Sequence, residues 1–282
     1  MLTRVASLRK TLQRRWLYPA IAAVVVGVVT FGQPQPSQAV PWWQLLIQGA
    51  QIVQIANMSE AQEATLGAQI NQELLSGQVK LYNNPAANEY VNRIGQKLAR
   101  NSANPNIKYT FQVIDDDAIN AFATMGGYVY VNTGTLKAAD NEAQLAGVIG
   151  HEIGHITGHH SLQHMKQAAI AQGISSLVGV DRDKLVQMGV QLALTLPNSR
   201  QDEYDADRRG LTTMIQTGYA PTAMPEFMKK LLRSNSPPEF LSSHPGVTER
   251  VANLQRMIPS AYQRRTDGLN ASTYKQQIRN FF

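Results

Sequence analysis

Two histidines four residues apart, His151 and His155, constrain this chain more than any other feature of its sequence. Apolar residues recur around them at helical spacing without an intervening proline: Leu145, Val148, Ile149, Ile153 and Ile156. Residues four apart lie on one face of an α-helix, so the two imidazoles can bind one metal ion. Glu152, beside the first histidine, can reach a water molecule on that ion. The H-E-x-x-H pattern, on a helix with its predicted N-cap at Asp140, therefore predicts a zinc hydrolase site.

The alternative interpretation of this motif is a pair of surface histidines on an amphipathic helix. Both histidines, however, stand among apolar neighbours, where an imidazole without a partner is costly to bury. The helical context therefore favours a metal site over an exposed pair.

A catalytic zinc ion usually takes three protein ligands and keeps one position for water. The nearest way to complete the site is the longer pattern H-E-x-x-H-x-x-G-x-x-H. Gly158 fits that pattern, but Ser161 stands where its third histidine should be. Three further histidines are expected to face solvent or to lie behind the ligands: His159, His160 and His164. The third ligand is therefore expected elsewhere in the chain.

Glu203 and Asp207 lie four residues apart, on one face of another predicted helix. The pair suits one carboxylate that binds the metal and a second that hydrogen-bonds a ligating imidazole and fixes its tautomer. The other charged residues of this helix are interpreted as a solvated face with Asp/Arg pairs: Asp202, Asp205, Arg208 and Arg209.

A third segment contributes His244, in a loop stiffened by Pro245, and Arg250, near the start of a helix that continues to Met257. An imidazole and a guanidinium from this segment could donate hydrogen bonds to the oxyanion that forms when water attacks a peptide carbonyl. The alternative is that His244 is structural or merely exposed.

Residues 1–39 have the order of regions found in a secretory signal. Five basic residues and no acidic one surround the start, an apolar stretch runs from Leu17 to Phe31, and Ser37-Gln38-Ala39 is a small-x-small cleavage site. An uncleaved N-terminal anchor is the alternative. The leader carries five of the six net positive charges, which leaves +1 for the rest and no support for nucleic-acid binding. Because the chain has no cysteine, a disulfide framework and a thiolate nucleophile are excluded.

Residues 40–58 form a second apolar segment, which contains the paired tryptophans Trp42 and Trp43. A helix docking on the following domain is expected, with a membrane-surface segment as the alternative. Residues 59–282 form the predicted domain, with a mainly helical α+β fold and a small sheet packed on the helix of the H-E-x-x-H motif.

Local patterns predict the elements of this domain. A capping box at residues 59–62 opens a helix to about Leu75, and another helix runs from Pro85 to Arg100. Alternating apolar residues predict strands at 107–113 and 128–132, and the second could offer its edge to an extended peptide. Three aspartates at 115–117 are interpreted as a turn in preference to a calcium site. Residues 166–196 are expected to form two helices with a mobile loop at 180–183.

Taken together, these motifs resemble the HtpX/Oma-like and CAAX-prenyl-protease group of zinc metalloendopeptidases, metallopeptidase family 48. The resemblance extends from about Gln62 to Met257. It rests, in chain order, on Asn120-Ala121-Phe122-Ala123, residues 126–134, residues 151–155, Glu203-Tyr204-Asp205-Ala206-Asp207 and His244-Pro245 with Arg250. It implies a zincin-like (gluzincin) domain with a small mixed sheet and one zinc ion bound by His151, His155 and Glu203.

The resemblance also implies a role for the remaining site residues. Glu152 would be the general base, and Asp207 would hydrogen-bond a ligand from behind. His244 and Arg250 would contact the substrate or transition state, with closure of His244 over the metal in a resting form as the alternative. The stretch Asn120, Ala121, Phe122, Ala123 would be the substrate-binding strand.

Family members built into membranes have several spanning helices, whereas this chain has at most its leader. The resemblance therefore points to a compact exported member that cleaves exported or membrane-associated polypeptides, misfolded ones in particular, in the periplasm or on the outer face of a membrane. Prenyl-protein processing is not expected. One rival hypothesis is a chaperone-like or scaffolding zinc protein that binds unfolded chains with little proteolysis; another is a metal carrier.

Overall fold

The computed structural model describes residues 58–174, 180–195, 198–234 and 238–282. The predicted leader at 1–39 and residues 40–57 of the predicted apolar segment lie outside these ranges. Within the described residues, no helix combines the length and the apolar character needed to cross a membrane.

The described part of the chain is mainly helical, with one small sheet. The helices are α1 (Glu60–Glu73), α2 (Pro85–Ala99), α3 (Thr133–Ala138), α4 (Glu142–Thr157), α5 (His160–Ala171), α6 (Arg182–Thr195), α7 (Arg200–Thr217), α8 (Ala223–Leu232), α9 (Glu239–Ser243), α10 (Val247–Met257) and α11 (Ala271–Arg279). The strands are β1 (Thr110–Ile114), β2 (Ala121–Thr124) and β3 (Tyr128–Asn132). A π-helical turn, Leu74–Gln78, follows α1, and a 3-10 turn, Ser260–Tyr262, follows α10. The predicted α+β class is confirmed.

Side-chain caps place the first helices where the sequence predicts them. The capping box of α1 is present, because Ser59 Oγ accepts from the Gln62 amide and the Gln62 side chain accepts from the Ser59 amide. Asn84 Oδ1 caps α2 by accepting a 3.1 Å hydrogen bond from the Ala87 amide. Both helices therefore begin as predicted, although α1 ends at Glu73.

The predicted N-cap of the motif helix α4 is wrong by one residue. Asn141 is the cap: its backbone is extended and its Oδ1 accepts a 3.0 Å hydrogen bond from the Gln144 amide. Asp140 lies one position too early for that contact, and its carboxylate pairs with Lys230 at 2.7 Å instead. Either residue type can cap a helix, so the sequence alone does not distinguish between these two neighbours.

The sheet is mixed and has the order β1-β3-β2, with β1 parallel and β2 antiparallel to β3. The prediction that the strand at 128–132 offers its edge to a peptide is wrong, because both sides of β3 are paired. Gly126 and Gly127 adopt positive φ values of 78° and 94°, which fold β2 back onto β3 as a hairpin. The outer edge on that side of the sheet therefore belongs to β2, which overlaps the predicted substrate-binding strand.

The structure also tests two predictions outside the sheet, the turn at 115–117 and the helices after the motif. Asp116 Oδ1 accepts a 2.8 Å hydrogen bond from the Ala118 amide, a turn built by an aspartate side chain. Two helices, α5 and α6, follow the motif helix as predicted, but α6 already begins at Arg182, so part of the loop predicted at 180–183 is helical.

The motif helix α4 lies at the centre of the domain. Its residues from Ala143 to Thr157 are all buried, which explains why its sequence is apolar on nearly every face. The sheet packs on it through β2 and β3, and α7 and α8 also pack against it. The predicted packing of the sheet on this helix is confirmed.

Candidate metal centre

Helices α4 and α7 approach closely because small residues line their crossing. A Cβ atom on Gly154 would lie 2.5 Å from the Ala206 carbonyl oxygen, and one on Gly210 would lie 2.9 Å from the Gly150 backbone. Any larger side chain at Gly154 would push the two backbones apart. Ala206 stands between Glu203 and Asp207 on α7, so this contact brings both carboxylates to the H-E-x-x-H motif.

Four buried side chains turn their donor atoms toward one another: His151, His155, Glu203 and His244. Nε2 of His151 lies 3.0 Å from Nε2 of His155 and 3.3 Å from Nδ1 of His244. Glu203 Oε1 lies 3.2 Å from Nε2 of His155 and 3.1 Å from Nδ1 of His244. The structure thus brings the three predicted ligands together and adds His244 as a fourth donor.

The spacing of these donors fits a zinc ion. Zinc bound tetrahedrally with bonds of about 2.0–2.1 Å holds its donor atoms about 3.3 Å apart, and three imidazoles with a carboxylate are donors that it accepts.

The surroundings of Glu152 also fit a bound zinc ion. Its Oε1 is buried and has no hydrogen-bond partner among the described residues, although it lies 3.6 Å from Nε2 of His244. When ionised, a buried carboxylate oxygen in this state needs a nearby positive charge or a bound water molecule, and a hydrated zinc ion would supply both.

Asp207 and Arg250 support this donor group from behind. Asp207 Oδ1 lies 3.0 Å from Nδ1 of His151, so the other nitrogen of that ring is left for the metal. Arg250 donates to Asp207 from Nε and Nη2, contacts Glu203 Oε2 through Nη1, and donates to the His244 carbonyl at 3.1 Å. The guanidinium is fully buried among these groups.

His244 connects the donor group to the sheet. Its Nδ1 faces the other donors, while its Nε2–H donates a 3.2 Å hydrogen bond to the carbonyl oxygen of Ala121 on β2. Phe240, one turn earlier, stacks on the imidazole at a centroid distance of 4.4 Å. In this structure, His244 therefore lies between the donors and the edge strand.

The outer edge of β2 forms one wall of a cleft beside the donors. Asn120 O accepts from the Asn132 amide, so the alternate residues Ala121 and Ala123 turn their backbone groups away from β3. The Ala121 amide donates to the Asn120 side chain, and the Ala123 carbonyl lies 3.5 Å from Ser161 Oγ. Residues from β2, α4, α5 and α6 line the cleft together with His244, which follows α9; they include Phe122, Thr124, Glu152, Ser161 and Leu192.

Comparison with known proteins assigns the chain to a protein family. Residues 85–258, more than half of the chain, match the family described as Peptidase family M48. The chain belongs to peptidase family M48. The resemblance to this family that was inferred from the motifs is confirmed.

Its relatives include bacterial and mitochondrial proteases. The Beta-barrel assembly-enhancing protease of Escherichia coli (strain K12) is 30% identical over 258 residues, which are 86% of this chain and 52% of that protein. Mitochondrial metalloendopeptidase OMA1 of Schizosaccharomyces pombe is 28% identical over 183 residues, 62% of this chain and 54% of that protein. The protein of the same name from Arabidopsis thaliana is 33% identical over 149 residues, 51% of this chain and 30% of that protein. The chain spans about half the length, or less, of these curated relatives.

Burial and neighbouring charges set the protonation of the M48 site. Burial lowers the pKa of His155 to about 3, so this imidazole is in the neutral form that binds metal ions. Burial also raises the pKa of Glu203, but His244 and His151 outweigh this effect and hold that pKa well below its usual range. Burial raises the pKa of Glu152 above that of an exposed carboxyl group. The site therefore combines Glu152, a carboxyl group with a raised pKa, with Glu203, a carboxylate that stays ionised and is available to a metal.

The interpretation of Asp202 as part of an Asp/Arg pair is wrong. Asp202 accepts from Ser199 Oγ and lies 2.8 Å from Nε2 of His164, because its side chain turns toward α5. Asp205 does pair with Arg208 and Arg209, as predicted.

The histidines after the motif lie behind the ligands or at the surface, as predicted. Nδ1 of His160 lies 2.9 Å from Nδ1 of His155, and the half-buried His159 contacts Glu63 at 3.0 Å. Sequence reasoning missed Asn198, whose Nδ2 lies 3.5 Å from donor nitrogens of both His155 and His244. A lone asparagine ahead of a helix carries no local signal of such a contact.

Proposed function

We propose that this M48 peptidase is a zinc metalloendopeptidase that cleaves exported or membrane-associated polypeptides, misfolded ones in particular. The observation that carries the proposal is the group of His151, His155 and Glu203 donors beside the buried, unpartnered Oε1 of Glu152. One zinc ion on those three residues would leave a fourth position for water, as in catalytic zinc sites.

Glu152 is the proposed general base. Zinc, when bound, supplies Lewis acidity that polarises the scissile carbonyl and acidifies the attacking water. Glu152 takes a proton from that water and returns it to the amine nitrogen that leaves. Burial raises the pKa of Glu152, which makes it a better proton acceptor once ionised. Because no described residue forms a hydrogen bond with Oε1 of Glu152, that oxygen is available for the proton transfer.

The proposed substrate path follows β2. An extended peptide can pair with the outward backbone groups of Ala121 and Ala123, while Asn120 and Phe122 complete the strand. Main-chain pairing requires an extended substrate and depends little on the substrate's amino-acid sequence. This mode of recognition suits unfolded polypeptides, and it is the reason we favour misfolded chains as substrates.

The position of His244 is proposed as a resting form. Its Nδ1 takes the fourth donor position, and its Nε2–H takes the Ala121 carbonyl that a substrate amide would use. Binding of a peptide requires the imidazole to move aside. After this movement the imidazole can donate a hydrogen bond to the oxyanion that forms when water attacks the peptide carbonyl, which is the other role considered for His244.

Arg250 is proposed to position ligands, which departs from the expectation that it contacts the transition state. Its guanidinium is fully buried, and its donors are directed at Asp207, Glu203 and the His244 carbonyl. Loss of this residue should therefore disturb the donor group before it disturbs substrate binding.

The place of action is also a proposal. Export rests on the leader-like composition of residues 1–39, with cleavage or retention as an anchor left open. The similarity to a protease named for beta-barrel assembly in Escherichia coli supports action in the periplasm or on the outer face of a membrane. Association with a membrane surface would use residues 40–58, and the peptidase domain would comprise residues 59–282.

A digest of an unfolded protein tests this function. Purified protein loaded with zinc is incubated with reduced casein or an unfolded outer-membrane protein, with and without a chelator. We expect fragments that disappear with the chelator and return when zinc is restored. A chaperone-like protein would instead suppress aggregation of the substrate without fragments, and a metal carrier would release zinc readily and tolerate changes at Arg250. Intact substrate with the zinc-loaded protein would overturn the proposal.

A further inference from the structure

The two histidines of the H-E-x-x-H motif have different partners behind them. Nδ1 of His151 faces the carboxylate of Asp207 at 3.0 Å. Nδ1 of His155 instead faces Nδ1 of His160 at 2.9 Å, with the two rings nearly perpendicular at 77°. His160 is only 4% exposed, so solvent does not replace this contact.

The direction of this hydrogen bond follows from the donor group. Nε2 of His155 faces the other donors, so its lone pair points at the metal position and the ring proton lies on Nδ1. Two nitrogens 2.9 Å apart share one proton, and therefore Nδ1 of His160 accepts it. The proton of His160 then lies on Nε2, which is 3.4 Å from Asp205 Oδ2. The contact between the two imidazoles is a hydrogen bond, whereas the contact of His160 with Asp205 is an electrostatic one at the longer distance.

The backbone before His160 is shaped to hold the ring there. His159 has φ 54°, the one positive value for a residue other than glycine in the described ranges. Such a conformation is costly for a residue with a side chain, and it persists only where the surroundings enforce it. A Cβ atom on Gly158 would lie 2.4 Å from Nε2 of His160, so the imidazole occupies the space that any other residue would take.

We propose that His160 is a positioning residue, which fixes the tautomer and orientation of the metal ligand His155 and links it to Asp205. Groups that accept the second proton of a ligating histidine make the other nitrogen a better donor. This inference rests on the proposed metal site. It adds an imidazole to the groups that hold that site.

Two substitutions separate the roles of the ring nitrogens of His160. The side-chain oxygen of His160→Asn can take the place of Nδ1 and still accept from His155. The polar end of His160→Gln reaches the position of Nε2 and leaves Nδ1 of His155 without its acceptor. The two variants differ by one methylene, so their effects on packing are similar. His159→Asn is the control, because asparagine tolerates a positive φ and this residue lies outside the chain of contacts.

The measurements are the Kd for zinc by chelator competition and the tautomer of His155 by nitrogen NMR in the zinc-loaded protein. We expect His160→Asn and His159→Asn to stay within a few-fold of the wild-type Kd, and His160→Gln to weaken zinc binding about 10–100-fold. Equal Kd values for the Asn and Gln variants, whether strong or weak, would overturn the role of His160. If the wild-type protein itself binds no zinc, the proposed function fails instead, and the two failures are thereby distinguished.

Discussion

Arg250 donates two hydrogen bonds to Asp207, from Nε at 2.8 Å and from Nη2 at 2.7 Å, at a point closed to solvent. Asp207 in turn faces Nδ1 of His151, so one carboxylate is shared by a guanidinium and an imidazole. A charge removed from water is stable only when its partners are in place. The donor group is therefore held by an ion pair whose members depend on each other.

Replacement of Arg250 should destabilise the protein even without metal. In Arg250→Met, the carboxylates of Asp207 and Glu203 remain buried without their cation, which costs about 3–5 kcal/mol of unfolding free energy. Urea unfolding in the presence of a chelator measures this change. The control is Arg208→Met, whose exposed pair with Asp205 contributes less than about 1 kcal/mol. A fully stable Arg250→Met protein with lower kcat would instead favour direct contact with the transition state.

The close crossing of α4 and α7 should be needed for zinc binding. In Gly154→Ala, the new methyl group would lie 2.5 Å from the Ala206 carbonyl and push Glu203 away from the two histidines. Overpacking of this kind costs about 1–3 kcal/mol, and we expect zinc affinity to fall at least about tenfold. Gly77→Ala is the matched control, since nothing lies within 4 Å of its Cβ position. Unchanged zinc affinity in Gly154→Ala would refute this explanation of the site.

Proline on the outer edge of β2 should impair substrate binding while the fold is kept. The Ala123 amide faces away from β3, so Ala123→Pro removes a donor that a paired peptide would use. Loss of such hydrogen bonds should lower kcat/KM for an unfolded substrate about tenfold, chiefly through KM. Thr124→Pro, which removes an amide directed at β3, should lower the unfolding temperature instead. Wild-type kinetics in a folded Ala123→Pro protein would exclude the proposed path.

Zinc should stabilise the folded protein. At free zinc of a hundred times Kd, binding to the native state alone adds about 2.7 kcal/mol to the unfolding free energy. Thermal unfolding with zinc, with a chelator and with magnesium measures this effect. Magnesium should not substitute, because it prefers oxygen donors and the site offers mostly imidazole nitrogens. His151→Ala should lose the response to zinc, and a response that persists in this variant would place the metal elsewhere.

Local patterns in the sequence predicted the features that depend on neighbours along the chain. The capping box at Ser59, the start of α2 at Pro85 and the face shared by His151 and His155 each follow from spacing within one helix. Glu203 was identified because it lies four residues from Asp207 and the zinc site lacked a ligand. Each of these inferences needed only a single element and its chemistry.

The features that sequence reasoning missed depend on which elements meet in space. Asp202 turns toward His164 on α5, and no pattern on α7 distinguishes it from Asp205, which pairs with arginine as predicted. The sequence of β3 predicts a free strand edge, yet the turn at Gly126 and Gly127 folds β2 against that edge. The burial of Arg250 likewise reflects three carboxylate and carbonyl partners on other elements or in the preceding loop.

The central claim is that Glu152 is the general base of a zinc peptidase, and Glu152→Gln tests it most directly. Glutamine keeps the shape of the side chain but cannot accept the proton of the attacking water. Zinc content and casein cleavage are measured on the same preparations, with Glu226→Gln as a control for the loss of an exposed carboxylate. We expect Glu152→Gln to keep its zinc and to lose cleavage by about 10²–10⁴-fold. A zinc-loaded Glu152→Gln protein that cleaves casein at the wild-type rate would contradict the account.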